Sequence, residues 1–212
     1  MNPYLQPSVL CNFDVAPVIK NTALDLTSGI NEDRQKVAVL AAFIKEVKYA
    51  YDEWYVSASE TLARKSGMCS SKTNLMIAML RSIGIPAGYR LLRISSEAEL
   101  FQWLLEQDSR IVWSHYLNQQ NHVLTDVLFD KVMSLDLSKD TPYEKGLQKL
   151  GIPVAIKLDD EKPRLVASFD QWAYEKYLNR LNRKNQTVDL TLANRLLDKI
   201  REIGASRLVN LI

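Results

Sequence analysis

A thiol, an imidazole and a carboxylate follow one another along this chain in an order that suits nucleophilic catalysis. Cys69 comes directly after Gly67-Met68, His122 stands in the second half, and Asp136 follows the histidine by 14 residues (136 − 122). A cysteine nucleophile works with a base and with a group that orients the base. The chain has 2 cysteines and 2 histidines, so few other combinations compete with this one.

The predicted position of Cys69 favours a reactive thiolate. Apolar residues over 75–80 predict a helix that starts at about Cys69, and Gly84 followed by Pro86 ends it. The unpaired backbone N–H groups at a helix N-terminus, and the positive end of the helix dipole, stabilise a thiolate and can also hold an oxyanion. Gly67 lets the backbone turn sharply before the nucleophile. The alternative is a buried cysteine that packs as a small hydrophobic residue.

His122 and Asp136 suit the ends of two paired strands. Residues 122–129 and 132–137 are strand-like, and the short link between them favours antiparallel pairing. The hairpin then brings both side chains to one end of the sheet, where the carboxylate fixes the imidazole tautomer and leaves the other nitrogen for the thiol. Four alternatives stay open: His122 in a surface loop, Asp136 as a helix cap, His115 as the base, and Asp126 or Asp130 as the carboxylate.

The remaining pattern places helices before and after a group of strands. Apolar spacing predicts a helix over 32–49 with Asn31 as N-cap, and then a short helix capped by Ser57 or Ser59 that ends at a left-handed Gly67. The order indicates an α+β fold in which a central Cys69-bearing helix packs on an antiparallel sheet, with additional C-terminal helices. The other predicted elements are strands over 89–94 and 111–117 and helices over 97–107, 142–150, 170–183 and 190–203.

Composition limits the class of protein. The chain has 212 residues, 47% of them hydrophobic, which fits one domain or one domain with an appended helical piece. A net charge of +2 argues against nucleic acid and against an anionic membrane as partners. Two cysteines form no disulfide framework, and the first residues lack the pattern of a secretory signal. We therefore expect a cytoplasmic protein with reduced thiols, and its oligomeric state stays open.

Two stretches of the chain resemble the transglutaminase-like superfamily. The first runs over 59–89 and has a leucine and a glycine before Cys69 and the sequence Leu80-Arg81-Ser82-Ile83-Gly84-Ile85-Pro86-Ala87 after it. The second runs over 122–138 and is similar to the histidine strand, turn and aspartate strand of the family. The resemblance implies Cys69 as nucleophile, His122 as base and Asp136 as orienting acid. It divides the chain into a lead-in (1–30), a transglutaminase-like catalytic core (31–140) and a C-terminal helical extension of the same domain (141–212).

The chain departs from the family pattern around these three positions. Leu124 and Met133 stand where the family has tryptophans, Val123 replaces a small alanine, and Leu137 replaces a proline. The walls of the site, and so the substrate, are expected to differ. An extra oxyanion donor of the family lies upstream of the cysteine, where Trp54, Tyr55 and Tyr51 are candidates because an indole N–H or a phenol O–H can donate. Aromatic packing is the alternative for all three.

The residues and the resemblance together predict acyl transfer through a thioester on Cys69. The substrate would be a peptide, an amide or a carrier-bound acyl group, and the acceptor water or an amine. The sequence has no acidic calcium loop and no group of three carboxylates near the site, so we expect no metal and no cofactor. Two alternatives are an inactive member of the fold that acts as a protein-interaction module, and an acyltransferase that takes its acyl group from a carrier thioester.

Overall fold

The computed structural model describes residues 2–95, 99–107, 121–156 and 190–206, which form seven helices and five strands besides a short 3-10 helix. This mixture of helices and small sheets confirms the predicted α+β class. The helices are α1 (Pro17–Leu26), α2 (Asp33–Glu46), α3 (Ala58–Arg64), α4 (Cys69–Ser82), α5 (Glu99–Gln107), α6 (Thr141–Lys149) and α7 (Thr191–Ala205). The strands are β1 (Lys48–Tyr49), β2 (Ser66–Gly67), β3 (Ala87–Arg93), β4 (Asn121–Leu128) and β5 (Val132–Leu135), and the 3-10 helix is Pro3–Leu5.

The main sheet has the strand order β3-β4-β5, and both of its pairings are antiparallel. Thr125 of β4 lies opposite Tyr89 on one side and Leu135 on the other. The predicted hairpin between residues 122 and 137 is confirmed. The two-residue strands β1 and β2 pair in parallel, with Tyr49 opposite Gly67. This second pairing was not predicted, and the predicted strand over 111–117 lies outside the described residues.

Helix α4 is the central element of the fold, as predicted. Its residues are buried from Cys69 through Arg81, and it packs against the main sheet and against α1, α2 and α3. Several of its buried polar side chains donate hydrogen bonds to backbone carbonyls. Thr73 Oγ1 donates to Val123 (3.2 Å), Asn74 Nδ2 donates to Val56 (2.8 Å), and Lys72 Nζ donates to Val47 (2.6 Å).

The predicted boundaries of two helices are wrong. Helix α2 has Glu32 rather than Asn31 as its N-cap, and it ends at Glu46 because Val47 turns to extended backbone and β1 follows. Helix α3 starts with the predicted cap Ser57, which forms a capping box with Glu60, but the left-handed residue at its end is Lys65 (φ 53°) rather than Gly67. Gly67 has no positive φ and lies in β2. Gly84 (φ 86°) ends α4 as predicted.

The C-terminal helices α6 and α7 pack on each other and bury a second apolar cluster, separate from the main core. They confirm the predicted helices over 142–150 and 190–203. The predicted helix over 170–183 and the cap at Ser96 lie outside the described residues. In the described part of the chain, no helix has both the length and the apolar character needed to span a bilayer. The members of the second cluster are Tyr51, Leu104, Tyr143, Leu147, Ile152, Ala193, Leu196, Leu197 and Ile200.

Candidate active site

Cys69 is the first residue of α4. The N-cap residue Met68 has extended backbone, and its side chain makes no capping hydrogen bond. The N–H groups of the first turn are therefore not used by the side chain of Met68 and face the same end of the helix as the sulfur. Strand β2 fixes the approach to Cys69, because Gly67 accepts a hydrogen bond from the N–H of Ala50 (3.2 Å). Cys69 is 4% exposed.

His122 and Asp136 lie on neighbouring strands and come into contact. Nε2 of His122 is 3.1 Å from Oδ2 of Asp136. The two atoms form an ion pair, and among the described residues Nε2 has no hydrogen-bond partner of good geometry. Continuing the register beyond the Thr125–Leu135 pair puts Asp136 opposite Leu124, so that His122 is its diagonal neighbour on the same face of the sheet. His122 is 4% exposed, whereas the side chain of Asp136 is 38% exposed.

The charges of these groups support one another. Burial disfavours the imidazolium, but the carboxylate of Asp136 and a hydrogen bond and negative charge from Cys69 raise the pKa of His122 to about 9. Burial also disfavours the carboxylate, yet His122, Lys139 and Ser138 hold the pKa of Asp136 well below its usual range. Ser138 donates to Oδ1 of Asp136 from its N–H (3.1 Å) and from its hydroxyl (2.7 Å). Since Nε2 faces Asp136, the ring leaves Nδ1 for the sulfur.

Two buried lysines near the site were missed from the sequence. Burial lowers the pKa of Lys72 to about 7, against the opposing charge of Asp140. Burial also lowers the pKa of Lys139, while Asp136, Glu144 and Cys69 oppose that shift. The available signal for Lys72 was a lysine three positions after the cysteine, on the helix that carries the apolar run over 75–80. No comparable pattern marks Lys139.

The other predicted candidates occupy different surroundings. Trp54 (2% exposed) belongs to the main core, and Tyr55 packs against it. Tyr51 lies in the second cluster, edge-on to Tyr49 at 5.7 Å between ring centroids. Packing is thus evident for all three aromatic residues, and their role as oxyanion donors stays a prediction.

The alternative carboxylates, Asp126 and Asp130, lie in different surroundings. Asp126 is paired with Arg90 (2.9 Å) and accepts from the hydroxyl of Ser134 (2.6 Å), so its charge is balanced within the sheet. Asp130 is exposed in the turn between β4 and β5, and His115 lies outside the described residues.

Within the four described ranges, no three His, Cys, Asp or Glu side chains are grouped closely enough to hold a metal ion. Metal independence stays a prediction.

Comparison with known families decides the relationship of the chain. The family model for the transglutaminase-like superfamily matches residues 20–135, more than half of the sequence. The chain belongs to the transglutaminase-like superfamily. The match contains Cys69 and His122 and ends one residue before Asp136. This superfamily membership confirms the resemblance that was seen in the two motifs.

The comparisons with individual proteins do not narrow the family further. No curated protein matches the chain. Among solved structures, the chain is similar to a putative cysteine protease from Cytophaga hutchinsonii, with 21% sequence identity and a TM-score of 0.48. The similarity covers 64% of this chain and 40% of that one, so the chain spans less than half the length of that protein. A likeness at this level carries no argument about activity.

Proposed function

We propose that this protein transfers or hydrolyses an acyl group through a covalent thioester on Cys69, with His122 as general base and Asp136 as the acid that orients it. The observation that carries the proposal is the position of His122. Its buried ring is stabilised as imidazolium by a carboxylate on Nε2 and by the sulfur at the N-terminus of α4. Membership of the superfamily supports a cysteine-dependent hydrolase or transferase in general.

The first half of the reaction forms the thioester. With a pKa of about 9, His122 is protonated at neutral pH, so the resting site holds an imidazolium beside the sulfur. The thiolate of Cys69 attacks the carbonyl carbon of an amide or thioester. The oxyanion that develops is stabilised by N–H groups of the first turn of α4. The carbonyl re-forms as the bond to the leaving amine or thiol breaks, and the imidazolium donates its proton to that leaving group.

The second half releases the acyl group. His122 is now neutral and accepts a proton from water or from an amine, which attacks the thioester. Collapse of the second tetrahedral intermediate breaks the C–S bond and yields an acid or an amide. Asp136 stays ionised and keeps Nε2 of His122 occupied, so that Nδ1 serves both steps. Peptides, amides and carrier-bound acyl groups are the substrate classes that we propose, with no metal or cofactor.

The burial of Cys69 favours a second candidate function. At 4% exposure the sulfur offers little surface to a ligand, which suits an inactive member of the fold that acts as a protein-interaction module. The two candidates differ in the state of the thiol. Alkylation of Cys69 by iodoacetamide at nearly equal rates at pH 6 and pH 9 indicates a thiolate–imidazolium pair. A rate that rises about tenfold per pH unit up to about pH 8 and then levels off, as for a thiol with the ordinary pKa of about 8.5, overturns the enzyme proposal.

The acyl intermediate itself provides the main test. The protein is incubated with N-acetylated peptide amides or with an acyl N-acetylcysteamine thioester, quenched in acid, and measured by intact-mass spectrometry. We expect an adduct of the acyl mass that maps to the peptide with Cys69. The adduct should be absent from Cys69→Ser and present in the matched control Cys11→Ser. No adduct from either donor class in the wild-type protein, together with an ordinary alkylation profile, contradicts the proposal.

A further inference from the structure

Asp140 connects the end of the Asp136 segment to two other parts of the fold. It lies four residues after Asp136, and we call residues 136–140 the acid loop. Asp140 is 2% exposed. It accepts from the N–H of Tyr49 in β1 (2.7 Å) and from the N–H of Tyr143 (3.0 Å), which makes it the N-cap of α6. The same carboxylate also binds Arg201 of α7, through Nε (3.0 and 3.2 Å) and through a second nitrogen (2.6 Å).

Arg201 joins the acid loop to strand β1, which pairs with the residues just before Cys69. Besides Asp140, it donates to the carbonyl oxygen of Tyr49. Tyr49 pairs with Gly67, two residues before Cys69. One guanidinium therefore binds both the acid loop and the strand beside the nucleophile. Its planar, forked set of donors suits such a bridge better than an ammonium does.

The surroundings of Arg201 hold its side chain in one place. Asp198 forms an ion pair with it at 2.9 Å, and the ring of Tyr143 lies 5.4 Å from the centre of the guanidinium. The Arg201 side chain is 13% exposed. A buried, fully paired charge of this kind is costly to break on one side only, because the partner then stays buried without compensation.

The attachment of α7 to the rest of the fold does not depend on Arg201 alone. The side chain of Asn194 accepts from the N–H of Tyr51 (2.7 Å) and donates to its carbonyl (2.9 Å). Leu196, Leu197 and Ile200 bury the apolar face of the helix. A substitution at Arg201 therefore tests the bridge while leaving α7 docked.

We infer that Arg201 is a positioning residue for the proposed acyl-transfer site, which sets the acid loop and the strand beside Cys69 at their working separation. The inference rests on the proposed function. Arg201 itself has no described contact with the triad and acts through Asp140 and Tyr49. Without the bridge, Asp136 moves relative to His122 and supports the imidazolium less well. The thiolate that the imidazolium stabilises is then less populated at low pH.

The test compares four proteins: the wild type, Arg201→Gln, Asp140→Asn and the control Arg195→Gln. Arg195 is exposed on the same helix and has no described partner. The Asp140→Asn variant keeps one oxygen acceptor for the helix cap but replaces the other oxygen, together with the charge, by an NH2 donor. Iodoacetamide rates at pH 6 and pH 10 are read separately for Cys69 and Cys11 by peptide mass mapping, at temperatures well below unfolding. Cys11 is 0% exposed and reports local or global opening.

We expect the pH 6 rate at Cys69 to fall about tenfold in Arg201→Gln and in Asp140→Asn, with the pH 10 rate unchanged. Arg195→Gln should behave as wild type, and Cys11 should stay unreactive in all four proteins. A purely structural role would instead raise labelling of both cysteines at every pH. That result, or an unchanged pH profile in Arg201→Gln, overturns the inference.

Failure of the proposed function gives a different result. If wild-type Cys69 already alkylates as an ordinary thiol, the proposed function falls, whatever the variants do. Should Arg201→Gln not fold, Arg201→Lys decides, because it keeps the charge and loses the fork. We expect an intermediate fall of about threefold at pH 6 for Arg201→Lys. A wild-type rate in this variant would contradict the need for a bridging guanidinium.

Discussion

Gly67 and Ser71 approach each other so closely that a β-carbon on Gly67 would lie 2.7 Å from Cβ of Ser71. The same β-carbon would lie 3.3 Å from Cγ2 of Thr61. The contact brings β2 against the first turn of α4, directly beside Cys69. Glycine is thus required here for space, whereas the sequence had suggested a left-handed backbone at this position.

Replacing Gly67 by alanine should therefore displace the start of α4. The added methyl meets a β-carbon near the backbone, which a side-chain rotation cannot move away. We expect Gly67→Ala to lower the free energy of unfolding by about 1–3 kcal/mol and to slow alkylation of Cys69 at pH 6. Urea unfolding followed by circular dichroism gives the first quantity, and peptide-mapped labelling gives the second.

A double-mutant cycle with Ser71→Gly provides the control for this contact. Removing Cβ of Ser71 makes room for the new methyl, although a glycine inside a helix costs about 1 kcal/mol by itself. Ser71→Gly should therefore restore the Cys69 labelling rate of Gly67→Ala more clearly than it restores the free energy of unfolding. If the two substitutions are additive in the labelling rate, the close contact does not position Cys69.

The pair of His122 and Asp136 predicts a large change in a histidine titration. Replacing Asp136 by asparagine removes the charge that opposes the effect of burial, so the pKa of His122 should fall by more than one unit from about 9. NMR titration of the imidazole C–H signals measures this directly. The chain has 2 histidines, so a His115→Gln background leaves a single signal to follow.

Asp130→Asn is the matched control for that titration. Asp130 is an exposed carboxylate in the turn that joins the same two strands. Its removal should leave the midpoint of His122 unchanged to within a few tenths of a unit. A titration of His122 that is the same in Asp136→Asn and in the wild type would separate the carboxylate from the ring and remove Asp136 from the site.

The sequence was sufficient for α4 and the β4–β5 hairpin because their signals are local. Apolar residues on every side of α4, together with Gly84 and Pro86 at its end, mark a buried helix with a definite stop. A two-residue link between strand-like segments predicts antiparallel pairing, because parallel strands need a much longer connection. Cys69 and His122 could be located for the same reason, since each is at or near the start of a locally marked element.

The sequence could not predict contacts that join distant residues through single side chains. β1 and β2 have two residues each, and their pairing leaves no periodic pattern. A left-handed Lys65 is uncommon for a residue with a β-carbon, so the nearby glycine was the natural choice. The bridge from Asp140 to Arg201 spans 61 positions, and a charged residue far along the chain looks like any solvated one until the fold brings its partner near.

The lowered pKa of Lys72 predicts an unusual dependence of the free energy of unfolding on pH. Its pKa is about 7 in the fold against 10.5 in the unfolded chain. The cost of burying its charge is therefore complete below pH 7 and is relieved as the pH rises toward 10.5. The stability of the wild type relative to Lys72→Met should increase between pH 7 and pH 10, on the order of 1–4 kcal/mol. Urea midpoints for the two proteins, measured at each pH, give the difference.

Lys20→Met is the control for this series. Lys20 is exposed on α1, and its replacement should give a difference from the wild type that is flat across the same pH range. Loss of the hydrogen bond from Lys72 to Val47 shifts the whole curve of Lys72→Met without changing its slope. A flat curve for Lys72→Met would mean that Lys72 keeps its ordinary ionisation in the fold.

Steric packing and helix propensity change the stability of Gly146→Ala in opposite directions, so this substitution distinguishes them. A β-carbon there would lie 1.9 Å from the carbonyl oxygen of Ile200, so alanine forces α6 and α7 apart. In an exposed helix the same change stabilises by about 1 kcal/mol. We expect Gly146→Ala to destabilise by about 3 kcal/mol in urea unfolding, while Lys145→Ala, an exposed position on the same helix, stays within about 0.5 kcal/mol of the wild type. A stabilised Gly146→Ala would show that the two helices do not meet at this glycine.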